Sequence, residues 1–349
     1  MTEALTRLLR EHTEAVRFDA VDVEAVTRAG TRAVRRRRFV TIGTGLALAC
    51  TCVLALHGSR ASDGDRVADR GTLPTDTVSW ALGSVLHTPG ASQEIGHPVH
   101  SYVRTRAGYV VVDGDGTARS VVDGTLRDVG RAQGLRLFAD ADDSVVAWAD
   151  ADTRGAVVTL DLTDGQLSTY TTTHGDPAVS AVDGATVYGR DDRGTVRWSA
   201  ASPDGLVVDL GQIQAAAGGV VVSNPHDGTT VVTRPDAAPV AIPAQSQTAL
   251  LSSDGRYLAL DADDPLVFDA ATGTRLQLDF QGRRATPLEW LDDHTVVLLV
   301  QELKAGPLEL VTCAVPSGAC RVEVADTGIS YDRTKDPEGY AVPVGERLD

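Results

Sequence analysis

The sequence has little of several residue types and motifs that mark particular classes of protein. Of its 349 residues only 5% are aromatic, two are lysine and four are cysteine. The HExxH motif of zinc proteases and the GxSxG nucleophile elbow are both absent from the sequence. The eight histidines lack the spacing of a metal site, since His97 and His100 would point to opposite faces of an extended segment. We therefore expect no catalytic residues, no cofactor and no metal, and a protein that is not an enzyme.

Two aspartate-rich stretches raise the question of calcium binding. In "DGDGT" (113–117) an EF-hand loop would need glycine at its sixth position and glutamate at its twelfth, where this sequence has Ala118 and Gly124. A hairpin turn explains this stretch better. The stretch "ADADDSVVAWADAD" (139–152) predicts turns at both ends of a strand over Val145–Ala149. Its acidic residues predict a solvated face or part of an acidic rim that attracts cations or basic partners: Asp140, Asp142, Asp143, Asp150 and Asp152.

Negative charge dominates the chain but is unevenly distributed. The formal net charge is -16, yet residues 1–38 contain nine arginines and six acidic residues, a net charge of +3. Residues 39–56 are uncharged, so the rest of the chain carries -19, the difference between those two values. A domain this acidic repels nucleic acid phosphates, and we expect no nucleic acid partner.

The longest apolar run directly follows four consecutive arginines, Arg35, Arg36, Arg37 and Arg38. Residues 39–59 contain no charged side chain, and about 20 apolar residues span a bilayer as a helix. Basic residues that flank such a span stay in the cytoplasm. The sequence therefore predicts a transmembrane helix at 39–59 in the plasma membrane, with the N-terminus inside and the residues after 60 outside.

Other interpretations of this run stay open. Ser59-Arg60-Ala61 could be the cleavage site of a signal peptide, although 38 residues before the apolar run are many for one. A lipoprotein box would have to end at Cys50, and Ala47-Leu48-Ala49 fits that box poorly. We expect Cys50 and Cys52 to lie within the span.

The segments around the span have different patterns. Residues 1–38 show apolar residues at helical spacing, which predicts a cytoplasmic helical arm rich in arginine. Residues 60–74 are rich in serine, arginine, aspartate and glycine and predict a linker. Residues 332–349 are predicted to form a C-terminal tail.

Between these segments, residues 75–331 repeat one pattern: a short apolar strand, a tight turn and a more apolar strand, as in "YVRTRAGYVVVDGDG" (102–116). The second strands are predicted to begin, at intervals of 34–41 residues, near Tyr109, Val145, Thr186, Val220, Tyr257 and Thr295. A second hairpin follows in most units, and its turns are predicted at Asp123-Gly124, Asp164-Gly165, Asp204-Gly205, Thr272-Gly273 and Ser317-Gly318. Two hairpins per unit make four strands, as in one propeller blade.

The segment "SSDGRYLALDADDPLVFDAATGTRLQL" (252–278) resembles the WD40-like and YVTN-type repeats of bacterial propellers. The resemblance lies in "DGRYLA" and "VFDAATG", whereas the regular Gly-His and Trp-Asp pairs of eukaryotic WD40 blades are missing. It implies an all-β fold, a β-propeller. Six whole units cover about 97–325, and residues 77–95 look like the last three strands of a further blade. Its inner strand would come from "TGISY" (327–331), so seven blades are favoured, with six blades or a β-sandwich as alternatives.

The two remaining cysteines bracket "CAVPSGAC" (313–320) in the part that is predicted to lie outside the cell, where oxidation is permitted. Strands joined through Pro316-Ser317-Gly318 would bring the sulfur atoms of Cys313 and Cys320 together. We expect a disulfide bond between them.

Two functions fit these features. The first is a membrane-anchored, non-enzymatic binding or scaffold module that takes a protein, peptide or glycan at one mouth of the ring. The second is a transmembrane signalling protein, similar in topology to zinc-binding anti-sigma factors, whose arm would hold a cytoplasmic regulator such as a sigma factor. The arm has His12 but no cysteine, so their zinc motif is missing. The composition, rich in Arg, Ala, Val, Gly and Asp, resembles actinobacterial proteins.

Overall fold

The computed structural model describes residues 73–140, 142–225, 229–244, 246, 248–261, 265–280, 284–301, 307–329 and 339–346. These residues form strands, turns and one short 3-10 helix, Gln133–Leu135. The predicted arm (1–38), its arginines Arg35–Arg38, the predicted span (39–59) and residues 60–72 lie outside the described residues. No helix within the described ranges is long and apolar enough to cross a bilayer.

The strands pair into seven four-stranded antiparallel sheets, which are the blades of a seven-bladed β-propeller. Blade 1 contains β1 (Trp80–Leu82), β2 (Val85–Thr88), β3 (Ala91–Glu94) and β28 (Tyr340–Ala341). Blade 2 contains β4 (Val99–Thr105), β5 (Gly108–Asp113), β6 (Thr117–Val122) and β7 (Thr125–Arg131). Blade 3 contains β8 (Phe138–Asp140), β9 (Val145–Ala149), β10 (Ala156–Asp161) and β11 (Gln166–Thr171). Blade 4 contains β12 (Ala178–Asp183), β13 (Thr186–Asp191), β14 (Gly194–Ser199) and β15 (Ser202–Val207). Blade 5 contains β16 (Gln212–Ala217), β17 (Val220–Asn224), β18 (Thr230–Thr233) and β19 (Val240–Ile242). Blade 6 contains β20 (Ala249–Leu251), β21 (Tyr257–Leu260), β22 (Leu266–Asp269) and β23 (Thr274–Leu276). Blade 7 contains β24 (Arg284–Asp292), β25 (Thr295–Gln301), β26 (Leu308–Ala314) and β27 (Cys320–Val324).

The sequence pattern follows the position of each strand in its blade. Second strands such as β5 (GYVVVD) and β25 (TVVLLVQ) are buried on both faces, because a neighbouring blade covers each side. Their runs of β-branched and leucine side chains suit that environment. Outer strands such as β7 and β11 are mostly exposed and carry more polar residues. This contrast explains why the second strands gave the clearest repeat.

Most of the predicted hairpin turns are confirmed, and one is wrong. Asp123 and Gly124 join β6 to β7 with φ angles of 49° and 71°, the left-handed values that a two-residue turn needs. Asp204-Gly205 instead lies inside β15, and the chain reverses at Ala200-Ala201. A Cβ on Gly205 would lie 2.4 Å from Cγ1 of Val196. This glycine therefore permits a close approach between strands and does not form a turn.

Blade 1 is built from both ends of the described chain. Its inner strand, β28, is antiparallel to β1, with Ala341 opposite Ala81 and Tyr340 opposite Leu82. The predicted inner strand at 327–331 is wrong, because Thr327 donates its backbone N–H and its hydroxyl to the carbonyl of Leu308, in blade 7. The ring is thus closed by residues predicted to belong to a tail.

The apolar core of the ring consists of layers between blades. The buried apolar residues of the described chain group into seven clusters, and each cluster joins side chains of two adjacent blades. Between blades 2 and 3, for example, Val110 and Val112 pack with Trp148 and Leu160. Between blades 7 and 1, Leu288 packs with Val78 and Val342. Every blade therefore depends on its neighbours for burial.

A buried ion pair crosses the junction where blade 1 has its two-residue inner strand. Arg104 of β4 in blade 2 donates its Nε–H to Oε2 of Glu289 of β24 in blade 7, at 2.7 Å. Its Nη2 donates to the carbonyl of Trp290 at 2.9 Å, and its Nη1 donates to the carbonyl of Thr75. The Arg104 and Glu289 side chains are 2% and 9% exposed. One guanidinium thus connects blades 2 and 7 with the segment that leads into β1.

The disulfide bond between Cys313 and Cys320 is present, as the sequence predicts. The two residues lie directly opposite each other in β26 and β27, and their Cα atoms are 4.1 Å apart. Cys313 is fully buried in the layer between blades 6 and 7. The bond ties the outer hairpin of blade 7 to that layer.

Replacing Arg104 by Met (Arg104→Met) should lower the free energy of unfolding by about 3–5 kcal/mol, because it leaves the Glu289 carboxylate buried and unpaired. The double variant Arg104→Met/Glu289→Leu should recover most of that loss. The control Arg136→Met removes an exposed pair with Glu346 and should cost at most about 1 kcal/mol. Urea unfolding of the four proteins measures these differences; equal losses in the single and double variants would contradict the role of the pair.

Candidate functional site

The inner strands of the seven blades surround a central channel and run through it in the same direction. They are β28, β4, β8, β12, β16, β20 and β24, each the first strand of its sheet counted from the channel. We call the end of the channel at which these strands begin the entry face, and the end at which they finish the exit face. Turns from inner to second strands, such as Arg106-Ala107, lie at the exit face.

A cavity of about 180 Å³ occupies the exit half of this channel. Its lining takes the late residues of the longer inner strands: on β4 it includes Val103 and Arg104, and on β24 it begins at Leu288. It also includes all of the short strands β8 and β20 and, in blade 1, residues that follow β28. Small apolar side chains form much of its wall: Ala139, Ala181, Ala215, Ala216, Ala217 and Ala249. Four of these alanines, Ala181, Ala215, Ala216 and Ala249, also pack in the layers between blades.

The C-terminal segment forms the inner end of this cavity. After β28, Pro343 and Val344 line the cavity. Gly345 then donates its N–H to the carbonyl of Tyr102 in blade 2 and accepts a hydrogen bond from the N–H of Leu137, which precedes blade 3, both at 2.9 Å. A Cβ on Gly345 would lie 2.0 Å from that Leu137 carbonyl, so only glycine fits. The segment predicted to be a tail is therefore part of the channel wall over residues 339–346.

The exit mouth of the cavity is acidic. In the described residues of blades 2 to 7, the last residue of each inner strand and the turn after it contain two arginines, Arg106 and Arg256, and seven aspartates. The aspartates are Asp140, Asp142, Asp143, Asp183, Asp254, Asp292 and Asp293. Arg106 forms an exposed pair with Asp142, at 2.5 Å. The mouth thus has a clear excess of negative charge, which attracts cations and basic partners.

Several of these carboxylates also hold adjacent blades together. Asp140 of blade 3 accepts the backbone N–H of Gly184 of blade 4, at 2.6 Å. Asp183 of blade 4 accepts the N–H of Gly219 of blade 5, at 3.0 Å. An aspartate that links blades leaves the neighbouring turn little freedom. The acidic mouth is consequently a set of charges on fixed turns.

Like charges are held close together at this mouth. Burial raises the pKa of Asp183, the N–H of Gly219 partly offsets that rise, and the carboxylates of Asp140 and Asp143 raise the pKa further. Deeper in the wall, burial raises the pKa of Glu289, and the Arg104 guanidinium offsets this only in part. Ionised carboxylates at this end of the channel are thus maintained at a cost in stability.

The entry face has a different charge arrangement. There, arginines pair with the carboxylates: Arg131 lies 3.4 Å from Asp152, Arg154 lies 3.1 Å from Asp176 and Arg193 lies 2.7 Å from Asp191. The sequence prediction that the aspartates of 139–152 lie at opposite ends of the Val145–Ala149 strand is confirmed. Only Asp140, Asp142 and Asp143 belong to the exit mouth; Asp150 and Asp152 lie at the entry face.

The "DGDGT" stretch forms the hairpin turn between β5 and β6, as predicted. Oδ1 of Asp113 accepts the N–H groups of Asp115 and Thr117, both at 3.0 Å. His97 lies in the loop before β4, and His100 lies within that strand. Among the residues that the structure describes, no three or more His, Cys, Asp or Glu side chains are grouped so that they could hold a metal ion.

Sequence reasoning missed the two features that define the site. Arg104 and Glu289 are 185 residues apart in sequence, and neither lies in a motif. The alanines of the wall are unremarkable in a chain rich in alanine. One pattern in the sequence could have indicated the alanine wall. Alanine recurs in several of the inner strands, and each of these strands precedes a more apolar second strand.

Comparisons with known proteins find only solved structures of low similarity. No protein-family model and no curated protein matches the chain. Among solved structures it is similar to the WD40 β-propeller domain of Doa1, with 14% identity, TM-score 0.46, and coverage of 70% of this chain and 86% of that chain. Hsv2 of Kluyveromyces lactis matches with 13% identity, TM-score 0.45 and coverage of 62% and 74%. PorZ, a bacterial surface component of the type-IX secretion system of Porphyromonas gingivalis, matches with 12% identity, TM-score 0.48 and coverage of 72% and 37%.

Identities and TM-scores this low carry no argument, and the assignment of seven blades rests on the seven sheets of this chain. The propeller fold that the resemblance of residues 252–278 implies is confirmed by those sheets.

Replacing Asp183 by Asn should stabilise the protein at neutral pH. In the wild type the raised pKa of Asp183 means that the folded state holds its proton more tightly than the unfolded state, so stability is lost as pH rises through that pKa. Asn keeps an acceptor for Gly219 and has no charge. Unfolding free energies at pH 7 and pH 3 should show the variant more stable at pH 7 and similar to the wild type at pH 3. A variant that is less stable at pH 7 would contradict this account.

Proposed function

We propose that the propeller is a non-enzymatic binding module whose exit mouth binds a basic segment of another protein. The observation that carries the proposal is the open, alanine-walled cavity surrounded by aspartates in excess over arginines. Seven interlocked blades give a rigid platform, so a partner can bind without the cost of ordering the receptor. The unbalanced negative charge supplies long-range attraction and favours a basic partner.

We further propose that residues 39–59 anchor the module in the plasma membrane, with the propeller outside. The basic residues before this apolar run support the anchor and its orientation. The described segment that leads into β1 is held at the exit face, where Pro74 accepts a hydrogen bond from the Tyr109 hydroxyl, at 2.5 Å, and Thr75 donates to the carbonyl of Arg106, at 3.0 Å.

Signalling is a second candidate function, and one contact favours it. Thr75 is held by Arg104 and Arg106, and both arginines line the cavity. A ligand at the mouth would therefore contact residues that hold the segment before β1, Arg104 through its side chain and Arg106 through its backbone carbonyl. In this version the arm of residues 1–38 would present or release a cytoplasmic regulator. Deletion of the arm separates the functions, because simple binding outside the cell would persist without it.

The binding proposal is tested with the full-length protein and a fluorescent peptide of alternating glycine and arginine. The double variant Asp142→Asn/Asp292→Asn should bind this peptide about tenfold or more weakly, and wild-type binding should weaken as salt is added. Fluorescence polarisation measures both effects.

The matched control for that experiment is Asp150→Asn/Asp152→Asn at the entry face. It removes the same charge, and Asp152, like Asp142, is an exposed partner of an arginine. The control should bind like the wild type. Equal weakening by both double variants would show that net charge alone attracts the peptide, and the proposed mouth would be rejected.

A further inference from the structure

The wall of the cavity contains a buried acceptor atom that has no partner. Glu289 is 9% exposed and lines the cavity, and its Oε2 accepts the Nε–H of Arg104. Its other oxygen, Oε1, is buried and has no hydrogen-bond partner. A buried polar atom without a partner is costly, and such atoms are rare in native structures. The terminal torsion of a glutamate is broad, so a partial turn of the carboxylate brings Oε1 towards the cavity. The Arg104 guanidinium has five N–H donors and can follow this turn without losing the ion pair.

A second acceptor without a partner lies in the same wall. Gln214 donates its Nε2–H to the carbonyl of Ser246, at 2.8 Å, while its Oε1 is buried and unpaired. None of the described side chains that have an unpaired buried donor lines the cavity; Trp148 and Trp198, for example, lie in the layers between blades. The wall therefore needs donors. Guanidinium and ammonium groups offer several donors and no acceptor.

Charge and shape select the same kind of ligand. The mouth residues that line the cavity are Asp140, Asp142 and Asp292 against Arg106, while Arg104 and Glu289 neutralise each other. An anion would meet this excess of carboxylates, whereas a cation is attracted by it. The alanines below the mouth suit an aliphatic stem, and lysine and arginine combine such a stem with a charged end. A cavity of about 180 Å³ has room for a single side chain of this size.

We propose that the cavity is a subsite for one lysine or arginine side chain of the partner. Its cationic group donates to Oε1 of Glu289, its stem packs on the alanine wall, and the aspartates of the mouth hold the flanking basic residues. This inference rests on the proposed function, because it names the group that the binding mouth recognises. The subsite adds a requirement that the mouth alone does not impose. The cavity must have room for the partner's side chain, so a substitution that fills the cavity should prevent binding.

The test uses the full-length protein and three small probes that compete with the fluorescent peptide. N-acetyl-arginine amide and N-acetyl-lysine amide carry the cation, and N-acetyl-citrulline amide is the neutral analogue of the first probe. At least one cationic amide should displace the peptide about tenfold or more better than the citrulline amide. The better of the two cationic probes identifies the preferred side chain. Equal competition by all three probes would overturn the proposal.

Two variants locate the binding of the cationic probe. Ala216 lines the cavity and also packs in the layer between blades 4 and 5, so Ala216→Leu narrows the cavity without changing any charge and should abolish competition by the cationic amide. Ala178→Leu adds the same group at an exposed position at the entry end of β12 and should have no effect. Glu289→Gln keeps the acceptor atom and removes its charge, and it should weaken the probe about tenfold. Because Glu289→Gln also weakens the junction of the ring, Ala216→Leu decides the result if that variant does not fold.

The outcomes separate this inference from the proposed function. If the peptide binds to the wild type, depends on Asp142 and Asp292, and is unaffected by Ala216→Leu, the cavity subsite is rejected while the binding mouth stands. If the peptide does not bind the wild type at all, both are rejected. If Ala216→Leu and Glu289→Gln weaken binding while Ala178→Leu does not, the subsite is confirmed.

Discussion

Closure of the ring between the two ends of the chain is the constraint on which the rest of the structure depends. Each blade buries its apolar faces only against its neighbours, so a ring open at one junction would expose the two blade faces of that layer to water. Closure is achieved by a strand of two residues, β28, and by a guanidinium that reaches from blade 2 to blade 7. The Arg104–Glu289 pair joins the two blades that flank blade 1, whose inner strand has only two residues.

The same junction positions the candidate site. Arg104 and Glu289 line the cavity, the segment after β28 forms its inner end, and the segment before β1 lies at its mouth. The fold and the site therefore share residues. The aspartates of the exit face show the same double use, because they accept backbone N–H groups between blades while crowding negative charge. Burial, together with the neighbouring carboxylates, raises the pKa of Asp183 and costs stability, a cost that is common where a surface is adapted for binding.

Much of the fold could be predicted from the sequence because its signal is local and repeated. The buried second strands begin at or within one residue of the predicted positions, as with Val145 and Tyr257, since a strand covered on both faces must be apolar. The inner strand Tyr340–Ala341 could not be predicted, because two residues carry no periodicity. The prediction of a hairpin turn at Asp204-Gly205 was wrong because glycine permits both a turn and a close approach between strands. The site was missed for a related reason: its defining contact joins residues that are distant in sequence.

The central claim is that β28 completes blade 1 and closes the ring. Hydrogen exchange of the backbone amides of Gly83 and Ala341 in the native protein tests it most directly, since Gly83 donates to the carbonyl of Gly339 across this junction. The account predicts that these amides exchange only through global unfolding, as slowly as amides of the buried strand β25. Exchange as fast as that of exposed turns such as Asp123-Gly124 would contradict closure of the ring by the C-terminal segment.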